Sequence, residues 1–243
     1  MQRIYGYLKS FSKRQIVYDT RMPKHNDDKV TKYDGWKEMY PDAQEELPPD
    51  MPEPRGKPVR ISGYFDADHA GCLQTRRSTT GIIMFLNGTP VKWFSKRQST
   101  IESSTYGSEI VAGQIAVEFA IEMRYKLRML GVRVEGSCIL YGDNNSMILN
   151  TTTPSSMIKK KHNSIAYHRV REGVAAGIVD IVHVESVNNL ADILTRPLGP
   201  QEYYRLMAKV SFPGSTNEGE LQDGMNQGHS SSGNVGGHKT YAT

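Results

Sequence analysis

Asn87-Gly88 stands between two runs of strand-forming residues, 78–86 (STTGIIMFL) and 90–95 (PVKWFS). Such a dipeptide accepts the left-handed backbone that a tight hairpin demands, so the two runs are predicted to pair antiparallel. A third run lies upstream at 61–72 (ISGYFDADHAGC) and completes a three-stranded meander. Side chains alternate across a strand, which puts Asp66 and Asp68 on one face and Phe65 and Ala67 on the other. Two carboxylates a few ångströms apart repel unless a cation lies between them or one keeps its proton. The meander therefore carries a chemical demand, and more acids elsewhere would answer it.

Downstream, Ser103-Ser104-Thr105 offers caps for a long helix reaching about Leu130, along which Val111, Ile115, Phe119, Met123 and Leu127 recur every four residues as its expected core stripe. Gly131 ends it. Residues 138–141 (CILY) form a run too short for a helix and deliver Asp143 and Asn144 to the start of another helix, 145–150. Residues 164–176 are again helical, 178–185 (IVDIVHVE) alternate as a strand, and Asn188 or Asn189 is expected to cap a last helix carrying Ala191, Asp192 and Leu194, continued beyond Pro197 by 203–210. The order βββ, α, β, α, α, β, α predicts an α/β fold. Its core is a central five-stranded mixed sheet, three antiparallel strands and then parallel ones, flanked by helices.

The flanks differ in composition. Residues 23–58 hold seven prolines and many acids, a mixture that sustains neither a long helix nor a central strand, and they read as an extended linker or surface wrap with Trp36 and Tyr40 as docking points. Residues 214–243 hold seven glycines among Ser, Asn and Gln and are expected to be disordered. Residues 1–19 give a short helical pattern (Ile4, Tyr7, Leu8, Phe11) and then a strand at 15–18. The formal charge of +4 and a pI of about 8.9 suit a polyanionic partner without requiring one. Cys72 and Cys138 stand far apart with no CxxC neighbour, which disfavours a zinc knuckle or a disulfide framework. With neither a long apolar run nor a signal-peptide core, the expectation is a soluble, intracellular protein, in a cytoplasmic particle or the nucleus, with no membrane partner.

Four elements place an acid at a useful point: Asp66 on the opening strand, Glu109 early on the long helix, Asp143 at the end of the fourth strand and Asp192 at the start of the last helix. Here a resemblance becomes specific. The segments FDADHAG, TRRSTTG, WFSKRQST, ESSTYGSE, LYGDNNS, KKKHNSIAYHRVRE and NNLADILTRPL, in this order, look like the ribonuclease H domain of copia-type LTR retrotransposon Pol polyproteins, over about residues 63–206. Residues 1–19 also resemble the end of the preceding reverse transcriptase. The organisation this implies is a reverse-transcriptase connection remnant (1–22), a Pro- and acid-rich linker (23–59), a ribonuclease H-like domain (60–212) and a disordered tail (213–243).

The resemblance implies hydrolysis of the RNA strand of an RNA/DNA hybrid, with two Mg²⁺ ions, replaceable by Mn²⁺, held by Asp66, Glu109, Asp143 and Asp192. Oxygen-rich sets of this kind suit a hard cation, and two ions ~3.5–4 Å apart serve both the attacking water and the leaving oxygen. Where the family has Glu-Ala-Glu this chain has Gly107-Ser108-Glu109, so one glutamate of the pair is lost and the ligand is kept. Asp68 becomes a neighbour of the site rather than a ligand. Ribonucleases H of cellular type carry a histidine between the third and fourth carboxylates that aids proton transfer or product release, a role not tied to one residue in the copia branch; His162 and His168 fall in that interval, weighed against a packed or surface role for a helical His168 beside Tyr167. Arg76, Arg77, Lys96, Arg97, Asn144, Lys159, Lys160 and Lys161 are the candidates for contact with the nucleic acid, weighed against a plain solvated basic face, and a reverse transcriptase or another large protein is a candidate partner. Two other readings compete: a catalytically silent ribonuclease H-like platform, and a DDE-type integrase, against which Glu109 argues.

Overall fold

The computed structural model describes residues 15–16, 18–23, 30–158 and 161–211. The expected helix within residues 1–14, Lys159, Lys160 and the tail from 212 onward lie outside the described residues. Ile16–Val210 form one unit, which is the one described below. In chain order the regular elements are α1 (Trp36–Met39), β1 (Arg55–Val59), β2 (Ile61–Asp68), β3 (Thr79–Leu86), β4 (Thr89–Arg97), α2 (Thr105–Met129), β5 (Val132–Val134), β6 (Cys138–Gly142), α3 (Asn145–Thr152), α4 (Ser164–Ala175), β7 (Val179–His183), α5 (Asp192–Thr195) and α6 (Pro200–Met207).

The main sheet has five strands in the order β4-β3-β2-β6-β7. The first three pair antiparallel, while β6 runs parallel to β2 and β7 parallel to β6, as the expected mixed sheet requires. Asn87 adopts a left-handed φ of 53° at the hairpin turn between β3 and β4. That turn is also gripped from upstream: Gly88 N–H donates to Asp19 O, Asp19 N–H donates to Thr89 Oγ1, and Asn87 Nδ2 donates to Thr20 O. β3 is buried on both faces, which explains its unbroken apolar run. Ile82 and Met84 join the larger core beneath α2 and α4, whereas Ile83 and Phe85 join a smaller one with Leu190 and Leu206.

Ser104 caps α2 by accepting from Gly107 N–H, and the helix runs close to its expected length. Its core face is not the expected one. Val111, Ile115, Phe119, Met123 and Leu127 are only half-buried, and the residues wholly inside are Ile110, Ala112, Ala116, Val117 and Ala120. The helix lies so near the sheet and α4 that small side chains fill the contact and larger ones move to its flanks, where Phe119 meets Phe94 edge to face. A methyl at Gly113 would lie 2.3 Å from Met147, and one at Gly173 2.8 Å from Val117.

A further expectation, on the last helix, is corrected. The last helix is two helices, and the residue capping α5 is Ala191; neither Asn188 nor Asn189 caps it, because Asn189 turns its amide inward to donate to Phe65 O and accepts from Ala191 N–H. The Pro- and acid-rich stretch holds a one-turn helix, and its strand β1 pairs parallel with β5 in a separate two-stranded sheet. Glu45 in this stretch pairs with Arg124 and Arg128 of α2. Trp36 and Tyr40 flank the guanidinium of Arg171, whose carbon lies 4.9 and 5.6 Å from their ring centres. Among the described residues no helix is long and apolar enough to cross a membrane.

Candidate metal centre at the end of the sheet

β2 and β6 are parallel and end side by side, so the acids at their C-terminal ends share one edge of the sheet. Asp66, opposite Gly81 on β3, is 7% exposed and accepts a 2.6 Å hydrogen bond from Thr195 Oγ1. Glu109 comes from the other side of the sheet on the first turns of α2, is 2% exposed, and accepts at Oε1 from Ala67 N–H at 3.3 Å. Its Oε2 is buried without a hydrogen-bond partner. Asp143 follows β6 directly, fixed there by the neighbouring Asn144, whose Oδ1 caps α3 by accepting from Met147 N–H. One carboxylate oxygen from each of Asp66, Glu109 and Asp143 lies within 4.8 Å of the others.

Asp192 opens α5 and borders the same cleft, about 390 Å³ in volume, but stands outside that group of three. Arg196 Nη2 donates to its Oδ2 at 2.6 Å. The electrostatics follow from this crowding. Burial raises Asp66 to about 7, with repulsion from Asp192 and Asp143 adding to it and the Thr195 hydroxyl opposing it. Burial first, and then the charges of Asp66 and Asp143, hold Glu109 well above the usual carboxylate range. Asp192 is also raised by burial, against the opposing hydrogen bond and charge of Arg196.

This donor set fits a divalent cation. The three acids are oxygen donors, two of them are buried, and one oxygen has no partner at all, which is a costly arrangement for the protein alone. An ion of hard type would neutralise the cluster and coordinate the orphaned oxygen.

The other predicted residues are spread more widely. Asp68 is half-buried in the cleft wall, and Asn144 borders it too. Lys96 and Arg97 are exposed at the end of β4; Thr79 pairs with Asp68 on one side and with Arg97 on the other, which puts Arg97 two strand spacings, roughly 10 Å, from Asp68. Arg76 and Arg77 are exposed in the turn after β2, Arg76 with a left-handed φ of 54°, and Lys161 is exposed just before α4. Neither expected histidine reaches the cleft. His162 Nε2 lies 3.3 Å from Glu102 Oε2, and His168 Nδ1 lies 2.7 Å from the Tyr40 hydroxyl, because α4 turns that face toward the surface wrap. The histidine in the wall is His69, with Nδ1 3.3 Å from Ser108 Oγ.

Sequence reasoning missed His69, Thr195, Arg196 and Asn189 as parts of this site. Thr195 and Arg196 had a signal, since they follow Asp192 by three and four residues and a helical turn brings such positions together.

No family model matches the chain. Over 159 residues it is 30% identical to the retrovirus-related Pol polyprotein from transposon RE1 of Arabidopsis thaliana and 28% identical to that from transposon RE2. Over 150 residues it is 29% identical to the corresponding polyprotein from transposon TNT 1-94 of Nicotiana tabacum. These matches take in 62–64% of the chain and 11% of each relative, so the chain spans about a tenth of their length. The resemblance to copia-type Pol polyproteins is thus borne out. Similar solved structures include RNase H1 from the halophilic archaeon Halobacterium salinarum NRC-1, with 18% identity, a TM-score of 0.43 and coverage of 56% of this chain and 94% of that one. LC11-RNase H1 in complex with RNA/DNA hybrid gives 15%, 0.45, 56% and 94% in the same order.

Proposed function

We propose that this chain is a metal-dependent endoribonuclease that hydrolyses the RNA strand of RNA/DNA hybrids, as a part or a descendant of a retrotransposon Pol protein. The observation that carries the reading is the trio Asp66, Glu109 and Asp143, two of them buried and Asp143 half-buried, with the Glu109 Oε2 unpartnered and Glu109 lining the cleft. Asp192 borders the same cleft, and the relatives are Pol polyproteins of transposons. Two Mg²⁺ ions, or Mn²⁺ in their place, held by Asp66, Glu109, Asp143 and Asp192 would supply an activated water and charge stabilisation at the leaving oxygen.

The chain's own residues do the rest. Thr195 fixes the rotamer of Asp66 by its hydrogen bond, and Asn189 ties the loop before α5 to the β2 backbone at Phe65. Arg76, Arg77, Lys96, Arg97 and Lys161, with Lys159 and Lys160 beside it in sequence, attract the phosphates of the hybrid, and Asn144 contributes a polar contact at the cleft wall. Selection of RNA rests on its 2′-hydroxyls. Among the described residues His69 is the histidine that borders the cleft, so proton transfer by an imidazole falls to it rather than to His162 or His168. A reverse transcriptase is the partner this reading brings with it, in a cytoplasmic particle or the nucleus.

The test is cleavage of an end-labelled RNA/DNA hybrid with Mg²⁺ or Mn²⁺, with single-stranded RNA and duplex DNA as controls. Cuts confined to the RNA strand of the hybrid are expected. Binding of the hybrid with no cleavage under any divalent ion would leave the chain as a silent platform.

A further inference from the structure

The four-residue helix α5 and the residue after it bring a donor to each of two acids in the cleft. Thr195 Oγ1 donates to Asp66 Oδ2 and Arg196 Nη2 to Asp192 Oδ2, both at 2.6 Å. These two donors are not equivalent. A hydroxyl is neutral and leaves the carboxylate its charge and spare lone pairs for a cation. A guanidinium is a permanent positive charge. Asp192 therefore already has a counter-cation, supplied by the chain, whereas Asp66, Glu109 and Asp143 form no ion pair among the described residues. The geometry also lets the arginine leave. Its side chain is 48% exposed, while that of Asp192 is 4% exposed, and the same Nη2 lies 3.7 Å from Glu202 Oε1, an alternative anionic partner on α6.

We propose that Arg196 is a specificity-determining residue that divides the cleft into two unequal cation positions. The Asp66–Glu109–Asp143 side fills first; the Asp192 side is held by a tethered cation and fills later and more weakly. The proposal rests on the metal reading given above. Arg196 here competes with the ion at Asp192 and repels a second divalent charge brought close to it.

Mn²⁺ titration of the full chain, followed by electron paramagnetic resonance of the free ion and by calorimetry, tests the proposal apart from activity. The wild type is expected to bind one ion, lost in Glu109→Gln, and a second at least about tenfold more weakly; Arg196→Gln tightens that second ion by about tenfold, and Arg196→Lys, which keeps the charge, stays within about threefold of wild type. A second affinity that is unchanged or weaker in Arg196→Gln overturns the role of Arg196 and leaves the first site standing. A wild-type chain that binds no Mn²⁺ overturns the metal reading itself.

Discussion

Glu109 and Asp66 are acids that the fold keeps away from water, and their protonation is tied to whatever cation the cleft holds. Without a metal, Asp66 titrates near 7 instead of its ordinary 3.8. A raised folded value means that its contribution to stability is complete below about pH 4 and is lost as pH rises through 7. The metal-free chain is therefore expected to melt at a lower temperature one unit above pH 7 than one unit below it, and Mg²⁺ to raise the melting temperature more at the higher pH. Scanning fluorimetry with and without the ion reads this directly. Divalent-ion affinity should itself rise with pH up to about 7, by up to about tenfold per unit for each proton displaced, as calorimetry in buffers of different ionisation enthalpy would report.

Removing a ligand charge while keeping its shape is the sharper test. Asp143→Asn is expected to lower cleavage by about 10³-fold, roughly 4 kcal/mol of barrier, yet to bind the hybrid as before in a filter or anisotropy assay. Asp66→Asn should behave alike, whereas Asp68→Asn, at the half-buried rim, should stay within about tenfold of wild type. The four acids were legible because each lies at or near the end of a patterned element, where the hydrophobic period fixes position, and because the resemblance singled them out. His69 was not legible: it sits in the turn after β2, and no period tells which way a turn residue faces.

At the scale of elements, Asp192 is positioned by a glycine. A methyl at Gly81 would lie 2.6 Å from Thr195 Cγ2, 2.7 Å from Ala191 O and 3.0 Å from Leu194 Cβ, so α5 rests directly on the backbone of β3. The backbone oxygen cannot step aside as a flexible side chain would. Gly81→Ala is expected to cost about 1–3 kcal/mol in chemical denaturation and to reduce cleavage beyond what that loss explains, since it displaces the turn that carries Asp192, Thr195 and Arg196. The strand pairing was written in the sequence, from the Asn87-Gly88 turn through the unbroken apolar run of β3. The face of α2 and the break between α5 and α6 were not. Which stripe of α2 is innermost depends on how closely the sheet approaches, and α5 is held by Asn189 and by Gly81 rather than by any period of its own.

Across the whole molecule, residues 30–59 do not border the cleft; their contacts fall elsewhere. Arg171, 1% exposed, donates to the carbonyls of Asn150, Thr153 and Pro154 and receives Trp36 and Tyr40 against its guanidinium. Arg124 and Arg128 hold the Glu45 carboxyl below its usual range despite its burial. Arg171→Ala is expected to cost about 3 kcal/mol and Tyr40→Phe about 1 kcal/mol by urea unfolding, with hybrid cleavage unchanged below the melting range. A loss of cleavage in Tyr40→Phe at a temperature where it stays folded would tie the wrap to catalysis. That Trp36 and Tyr40 would dock was legible from two aromatics in a proline-rich stretch. Their target was not, because a buried arginine bonded to three carbonyls and to the Tyr40 hydroxyl leaves no partner charge in the sequence to find.

β3 is gripped at both ends, by Asp19 and Thr20 at the hairpin turn and by α5 at Gly81. Covered on both faces and held at both ends, it joins residues 19 and 20 to the turn that bears Asp192, so a displacement imposed at that upstream segment is expected to be felt at Asp192, although the two lie far apart in sequence.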